Sequence, residues 1–281
     1  MPHAAPPALL QVLDALRCPL CVGTLTVSGT ALRCPAGHTF DIARQGYVSL
    51  LGGTRATSGD DADMVRARER FLSTRAYDPI GDAVADLVAG EVGAGLLLDV
   101  GCGTGRYAAR ALDALPTTHG LGLDTSTRAL RAAVRAHPRL AAATWDVFRD
   151  FPLVDACCAV VMDVFAPRNP GEFHRVLRGD GRLVVVRPTA DHLAELRSEV
   201  VGMVDVDPEK EQRLSRSLAP HFDGVATRSV EYRTPLSHEG AVDLVAMTPS
   251  ARHLDASRVG EDPDLPEEVT VSVLVTAYRA R

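Results

Sequence analysis

The segment Leu96–Leu112 reads LLLDVGCGTGRYAARAL: an apolar run, a set of alternating glycines, then an amphipathic stretch. The pattern predicts a buried strand over 96–100 and a helix over 105–115. Between them Gly101, Gly103 and Gly105 permit a tight turn and a backbone approach to a ligand that any Cβ would obstruct. A dinucleotide-binding fold would seat a pyrophosphate at that helix start. Here Asp99 ends the strand, and a carboxylate repels pyrophosphate. The same carboxylate complements the amino-acid portion of S-adenosylmethionine, so charge selects the methyl donor over NAD.

Outward from this segment, short apolar runs alternate with longer amphipathic ones. Strands are predicted near 119–123, 141–145, 156–162 and 182–187, with helices over 126–137, 170–178 and 190–202, the signature of a parallel sheet with crossover helices. The nearly continuous apolar run at 156–162 suits a strand covered on both faces. Later strand candidates, 226–232 and 269–278, flank a helix near 239–247. Asp124 closes the second strand, where it can receive both ribose hydroxyls. Asp146 follows the third and can accept the adenine amino group, with Trp145 and Val147 as apolar walls. Together these features resemble the class I S-adenosylmethionine-dependent methyltransferases. That resemblance implies an α/β, Rossmann-like seven-stranded sheet closed by a reversed hairpin, which accommodates the two late strands.

Upstream, Cys18, Cys21, Cys34 and His38 form C-x2-C-x12-C-x3-H. Two thiolates on one turn and a thiolate plus imidazole on the next can close a tetrahedron around Zn2+, leaving no open catalytic position. The segment has few apolar residues, and zinc would supply folding energy. A metal-free pair of turns, or a redox pair at Cys18 and Cys21, are the alternatives. The expected organisation is a zinc-binding RNA-recognition domain at 1–51, a helical connector contributing to the cofactor site at 52–90, and the methyltransferase domain at 91–281, a smaller unit before a larger one.

The 281 residues carry 30 Lys plus Arg against 36 Asp plus Glu, net −6, which excludes a uniformly basic nucleic-acid-binding surface. Residues 1–75 reverse the sign, with eight Arg against six acidic side chains. Arg33, Arg44, Arg55, Arg66, Arg68, Arg70 and Arg75 are therefore candidate phosphate contacts, or simply a solvated face. The first residues lack a charged leader before an apolar stretch, and no apolar run approaches the roughly 20 residues that span a bilayer. The expectation is a cytoplasmic protein without a membrane partner.

The segments CPLC, CPAGHTFDIARQGYVSLL, GDDADMVRARERFLSTRAYDPI, DVGCGTGRY, VFAPRNPGEFHRVLRGDGRLVVVRP and MTPSARH resemble the bacterial 23S rRNA guanine-N1 methyltransferases, most closely their Gram-positive, tylosin-resistance branch. The resemblance implies zinc at the four ligands above, and cofactor contacts at Tyr77, Gly105, Tyr107, Ala108 and His192. It implies a guanine of the hairpin 35 loop of 23S rRNA as target, expected to be G748, with macrolide resistance as the consequence, and it makes a homodimer plausible. Phe165 stands where the family has a tyrosine, so a hydroxyl role there is absent.

For the chemistry, Phe165 and Pro167 are candidate walls for an exposed base, and Asp163 is a candidate acceptor for the N1 proton. Two other readings remain: a class I methyltransferase for another RNA, a protein or a small molecule, and a non-catalytic zinc RNA-binding protein on a degenerate fold.

Overall fold

A computed structural model describes residues 4–52, 60–89, 93–203, 213, 216–252, 254 and 256–281. Arg55 and most of the charged insertion between Asp205 and Arg216 lie outside the described residues.

The chain opens with a short helix α1 (Pro7–Val12) and a three-stranded antiparallel ribbon, β1 (Thr26–Ser28), β2 (Ala31–Arg33) and β3 (Thr39–Asp41). Helices α2 (Ala62–Ser73) and α3 (Asp78–Val88) follow. Asp61 caps α2, its carboxylate accepting from the amides of Asp63 and Met64. Pro79 sits in the first turn of α3, where its missing N–H costs nothing.

The main sheet comprises β4 (Leu96–Val100), β5 (His119–Asp124), β6 (Leu140–Thr144), β7 (Cys158–Val164), β8 (Leu177–Pro188), β9 (Phe222–Pro235) and β10 (Glu268–Ala280). Their order is β6-β5-β4-β7-β8-β10-β9, the first five mutually parallel and β10 antiparallel to both β8 and β9. This is the seven-stranded sheet with a reversed closing hairpin. Between β4 and β5 runs α4 (Arg106–Ala114), between β5 and β6 α5 (Thr127–Ala136), and between β7 and β8 α6 (Pro170–Val176). Helix α7 (Ala194–Glu199) follows β8, while α8 (His238–Ala246) and α9 (Ala256–Glu261) lie between β9 and β10. The winding order reverses between the parallel strands β4 and β7, so their carboxyl ends open the crevice where such sheets bind ligands.

Two core clusters sandwich the sheet. One face buries Leu97, Val160, Met162, Val164 and Val186 against Phe71, Ile80, Ala108 and Leu244 from α2, α3, α4 and α8. The other buries Leu98, Val100, Val161 and Val185 against Phe173 of α6 and against Leu9, Leu16, Leu32, Phe40 and Val48 from the amino end. The amino-terminal unit therefore shares a core with the sheet, which supplies apolar burial that its own sequence lacks. It also covers the sheet edge at β6: the Val48 amide donates to Ala142 O at 2.9 Å, and the Thr144 amide donates to Val48 O at 2.9 Å.

Two elements differ from expectation. The predicted strand 156–162 is shifted to Cys158–Val164, because Ala156 adopts φ +49° in the preceding turn. The helix predicted over 190–202 is confined to Ala194–Glu199. Residues 189–193 instead fold against β10, where Thr189 Oγ1 bonds Ser272 Oγ at 2.7 Å and the Leu193 amide donates to Thr270 O at 2.7 Å.

Candidate active site

Strand alternation decides which side chains meet at the sheet's carboxyl edge. Asp99 lies two residues after Leu97 and projects to the α2–α4 side. Its residue is 1% exposed, and Oδ1 has no hydrogen-bond partner among the described residues. Burial, reinforced by the carboxylates of Asp124 and Asp163, pushes Asp99 well above the usual carboxylate range. An enclosed acceptor without a donor, in a cluster of acids, is chemically suited to a cationic ligand.

Asp124, on the same side of the neighbouring strand, binds the glycine loop directly. Its Oδ2 accepts from the Gly103 amide and its Oδ1 from the Ser126 amide, both at 2.8 Å. Burial raises its pKa in spite of these two bonds. Gly101, Gly103 and Gly105 all have positive φ, +68°, +52° and +77°. A Cβ on Gly101 would stand 2.6 Å from Ala166 Cβ, and one on Gly105 2.9 Å from Ala133 Cα, so only glycine fits this cradle. Asp146 is 9% exposed and accepts from the Phe148 amide at 3.0 Å. Trp145 and the partly buried Val147 pack in the core cluster shared with the amino end.

An aromatic group closes the site. Phe165, at φ +57° and 40% exposed, has its ring centroid 6.0 Å from His192 in a stacked arrangement, 6.4 Å from Tyr77 and 6.5 Å from Tyr107. Tyr77 and Ala108 are buried, and Tyr107 is half-buried. Pro167 is exposed beside Phe165. Burial, with the nearby Arg197 charge, pushes the His192 ring down to about 4, so it is neutral at pH 7.

Asp163 lies on the other face of the sheet. It follows Val161 in alternation, and Val161 belongs to the core on the α6 side, so its carboxylate leaves β7 on the face opposite Asp99. It is fully enclosed there, with Arg168 Nε at 3.9 Å from Oδ1. This geometry sets Asp163 against the 165–168 turn.

By sequence alone Arg68 is a candidate phosphate contact. It reaches over the glycine loop instead: its guanidinium pairs with Asp60, donates to Met247 O at 2.9 Å, and lies 3.4 Å from where a Gly103 Cβ would stand. Arg66, Arg70 and Arg75 are likewise engaged, with Asp63, Asp243 and Asp78. Three of these partners are near in sequence, Asp60, Asp63 and Asp78, and only Asp243 lies on a distant element. Arg33 and Arg44 are exposed.

At the amino end, the ligand atoms of Cys18, Cys21, Cys34 and His38 all lie within 4.8 Å of one another. Cys21 and Cys34 Sγ are 3.6 Å apart, and His38 Nδ1 is 3.4 and 3.3 Å from the sulfurs of Cys18 and Cys34. A tetrahedral zinc with its usual bond lengths requires sulfur–sulfur edges of about 3.8 Å and sulfur–nitrogen edges of about 3.5 Å. The donor set fits Zn2+, and Val22 and Gly37 in left-handed conformations turn the two knuckles.

Comparisons with known proteins agree. Residues 16–55 match a zinc-ribbon family described as RlmA, N-terminal, and residues 97–183 match a methyltransferase domain. The chain is 43% identical over 276 residues to the 23S rRNA (guanine(748)-N(1))-methyltransferase of Streptomyces fradiae, covering 96% of this chain and 98% of that one. It is 46% identical over 291 residues to a Micromonospora griseorubida protein provisionally named a 23S rRNA (guanine-N(1)-)-methyltransferase, with the same coverage. The chain belongs to the bacterial 23S rRNA guanine-N1 methyltransferase family. Its fold is the class I methyltransferase fold with an amino-terminal zinc ribbon, and its cofactors are S-adenosylmethionine and Zn2+. A solved complex of the Haloferax volcanii Trm112 methyltransferase activator with a methyltransferase aligns at TM-score 0.50 and 18% identity, over 79% of this chain and 99% of that one, which shows the fold alone. Among the described residues no helix is long and apolar enough to cross a membrane.

Proposed function

We infer that this protein transfers the methyl group of S-adenosylmethionine to N1 of a guanine in 23S rRNA. The observation that carries the reading is the convergence of Asp99, Asp124 and the three left-handed glycines at the β4 edge, directly beside the exposed Phe165. S-adenosylmethionine supplies an electrophilic methyl on a sulfonium when bound. Asp99 would hold its ammonium, Asp124 its ribose hydroxyls and Asp146 its adenine amino group. The glycine loop admits its backbone, while Tyr77, Tyr107, Ala108 and His192 enclose it. Phe165 and Pro167 would stack on the flipped guanine. Asp163, paired with Arg168, would set the angle of that wall.

The finer address is part of the same proposal. The target is G748 in the hairpin 35 loop, where added methyl bulk reduces macrolide binding and gives tylosin resistance. Such a protein works in the cytoplasm, and a homodimer would set two ribbons around one RNA cleft. Labelled S-adenosylmethionine incubated with a lysate of a strain lacking this activity tests the acceptor class. Label recovered in large-subunit RNA is the expected result; label in protein or small molecules only would favour the other class I reading.

A further inference from the structure

The hydrogen bonds around Tyr77 fix which way its hydroxyl can act. His192 Nδ1 is 3.2 Å from the Ser272 amide nitrogen, and a backbone N–H can only donate, so Nδ1 is the unprotonated nitrogen. In the neutral ring the proton then resides on Nε2. That nitrogen lies 3.3 Å from the Tyr77 hydroxyl oxygen and donates to it. Tyr77 thus has a lone pair filled by a donor held on the sheet, and its own proton is left for another acceptor. Burial keeps the phenol protonated far above neutral pH. The His192 ring stacks on Phe165, the exposed aromatic at the β7 end.

Guanine N1 chemistry needs such a donor. N1 carries a proton, and losing it places negative charge on both N1 and O6. The N1 lone pair then attacks the methyl carbon. The N1–CH3 bond forms while the S–CH3 bond breaks with its electron pair going to sulfur, leaving a neutral thioether, and the displaced proton passes to water at the pocket mouth. A hydrogen bond to O6 stabilises the charge during attack and is worth little before it. We propose that Tyr77 is a catalytic hydrogen-bond donor to O6 of the target guanine, and that His192 is the positioning residue that aims it. This rests on the guanine-N1 reading above and goes beyond enclosure of the cofactor.

Single-turnover methylation of a transcript containing hairpin 35, at saturating S-adenosylmethionine, tests the proposal with Tyr77→Phe, His192→Phe and the double variant. Tyr77→Phe is expected to slow transfer about 10²-fold, the loss typical of one transition-state donor. His192→Phe keeps the stacked ring and should lose a similar factor, and the double variant should be no slower than the worse single one. Cofactor affinity, measured by calorimetry, should stay within about threefold for Tyr77→Phe, which keeps the ring and loses only the hydroxyl. With 6-thioguanosine at the target, whose sulfur is a weaker acceptor, the ratio of wild-type to Tyr77→Phe rates should shrink. An unchanged rate, a cofactor affinity that falls as far as the rate, multiplying losses in the double variant, or an unchanged ratio on the thio-substrate would each overturn the assignment. A wild-type protein that modifies no guanine N1 would instead remove the reading on which it rests.

Discussion

Asp99 shows how a single side chain sacrifices stability for binding. Its raised pKa means that its favourable contribution to folding is complete only below the ordinary carboxylate range, and is lost as pH rises through the raised value. At pH 7 to 8 the ligand-free protein carries an enclosed carboxyl that resists ionising. Asp99→Asn removes that group's titration, so the ligand-free variant should melt higher than wild type by about 2–4 °C at pH 8, and the gap should narrow toward pH 5. Its affinity for S-adenosylmethionine should fall about 10²-fold, because the buried charge-assisted bond proposed between Asp99 and the ammonium would be gone. Melting curves with and without cofactor, across that pH range, check both signs.

At the scale of elements, the zinc ribbon and the helix-covered wall of the cofactor pocket use opposite sides of one sheet. The ribbon's Leu32 and Phe40 join the core on the α6 side, whereas Tyr77 and Ala108 belong to the α2–α4 side. Stripping zinc with a chelator should therefore loosen the ribbon and abolish RNA binding, while S-adenosylmethionine affinity falls far less, although Trp145 and Val147 beside Asp146 pack in the ribbon-side core and Tyr47 packs with Cys102 of the glycine loop. Equal loss of both activities would contradict the separation.

The same contrast explains what was legible in the sequence. The zinc ligands could be read because metal geometry imposes their spacing. The placement of Asp99, Asp124 and the glycines at strand ends could be read because a parallel strand ends where its apolar run ends. Asp163 could not, since a two-residue shift of β7 changes whether it is a loop residue or a buried strand residue facing the other core. Nor could the Tyr77–His192 bond, which joins residues 115 apart through a turn fixed by β10. The internal pairing of Arg66, Arg68, Arg70 and Arg75 was equally hidden, because charge counting does not reveal partners.

Over the whole molecule, the net charge of −6 opposes RNA, so phosphate binding has to be local. With the α2 arginines engaged by carboxylates, Arg33 and Arg44 stand as exposed cations on the ribbon side. Reversing both, Arg33→Glu with Arg44→Glu, should weaken binding to a 23S rRNA transcript and flatten its salt dependence, by about 0.7 in log–log slope for each phosphate no longer neutralised. Cofactor affinity should be unchanged; filter binding across a salt series reads the difference.

The central claim is a cationic methyl donor held by Asp99 and Asp124 beside a stacked guanine. Its most direct measurement supplies methyl-labelled S-adenosylmethionine and unmodified 23S rRNA to the purified protein, digests the RNA to nucleosides and maps the labelled position. The predicted product is 1-methylguanosine at one site, G748. Label on another atom or base, or no label from a protein shown to bind the donor, would contradict it.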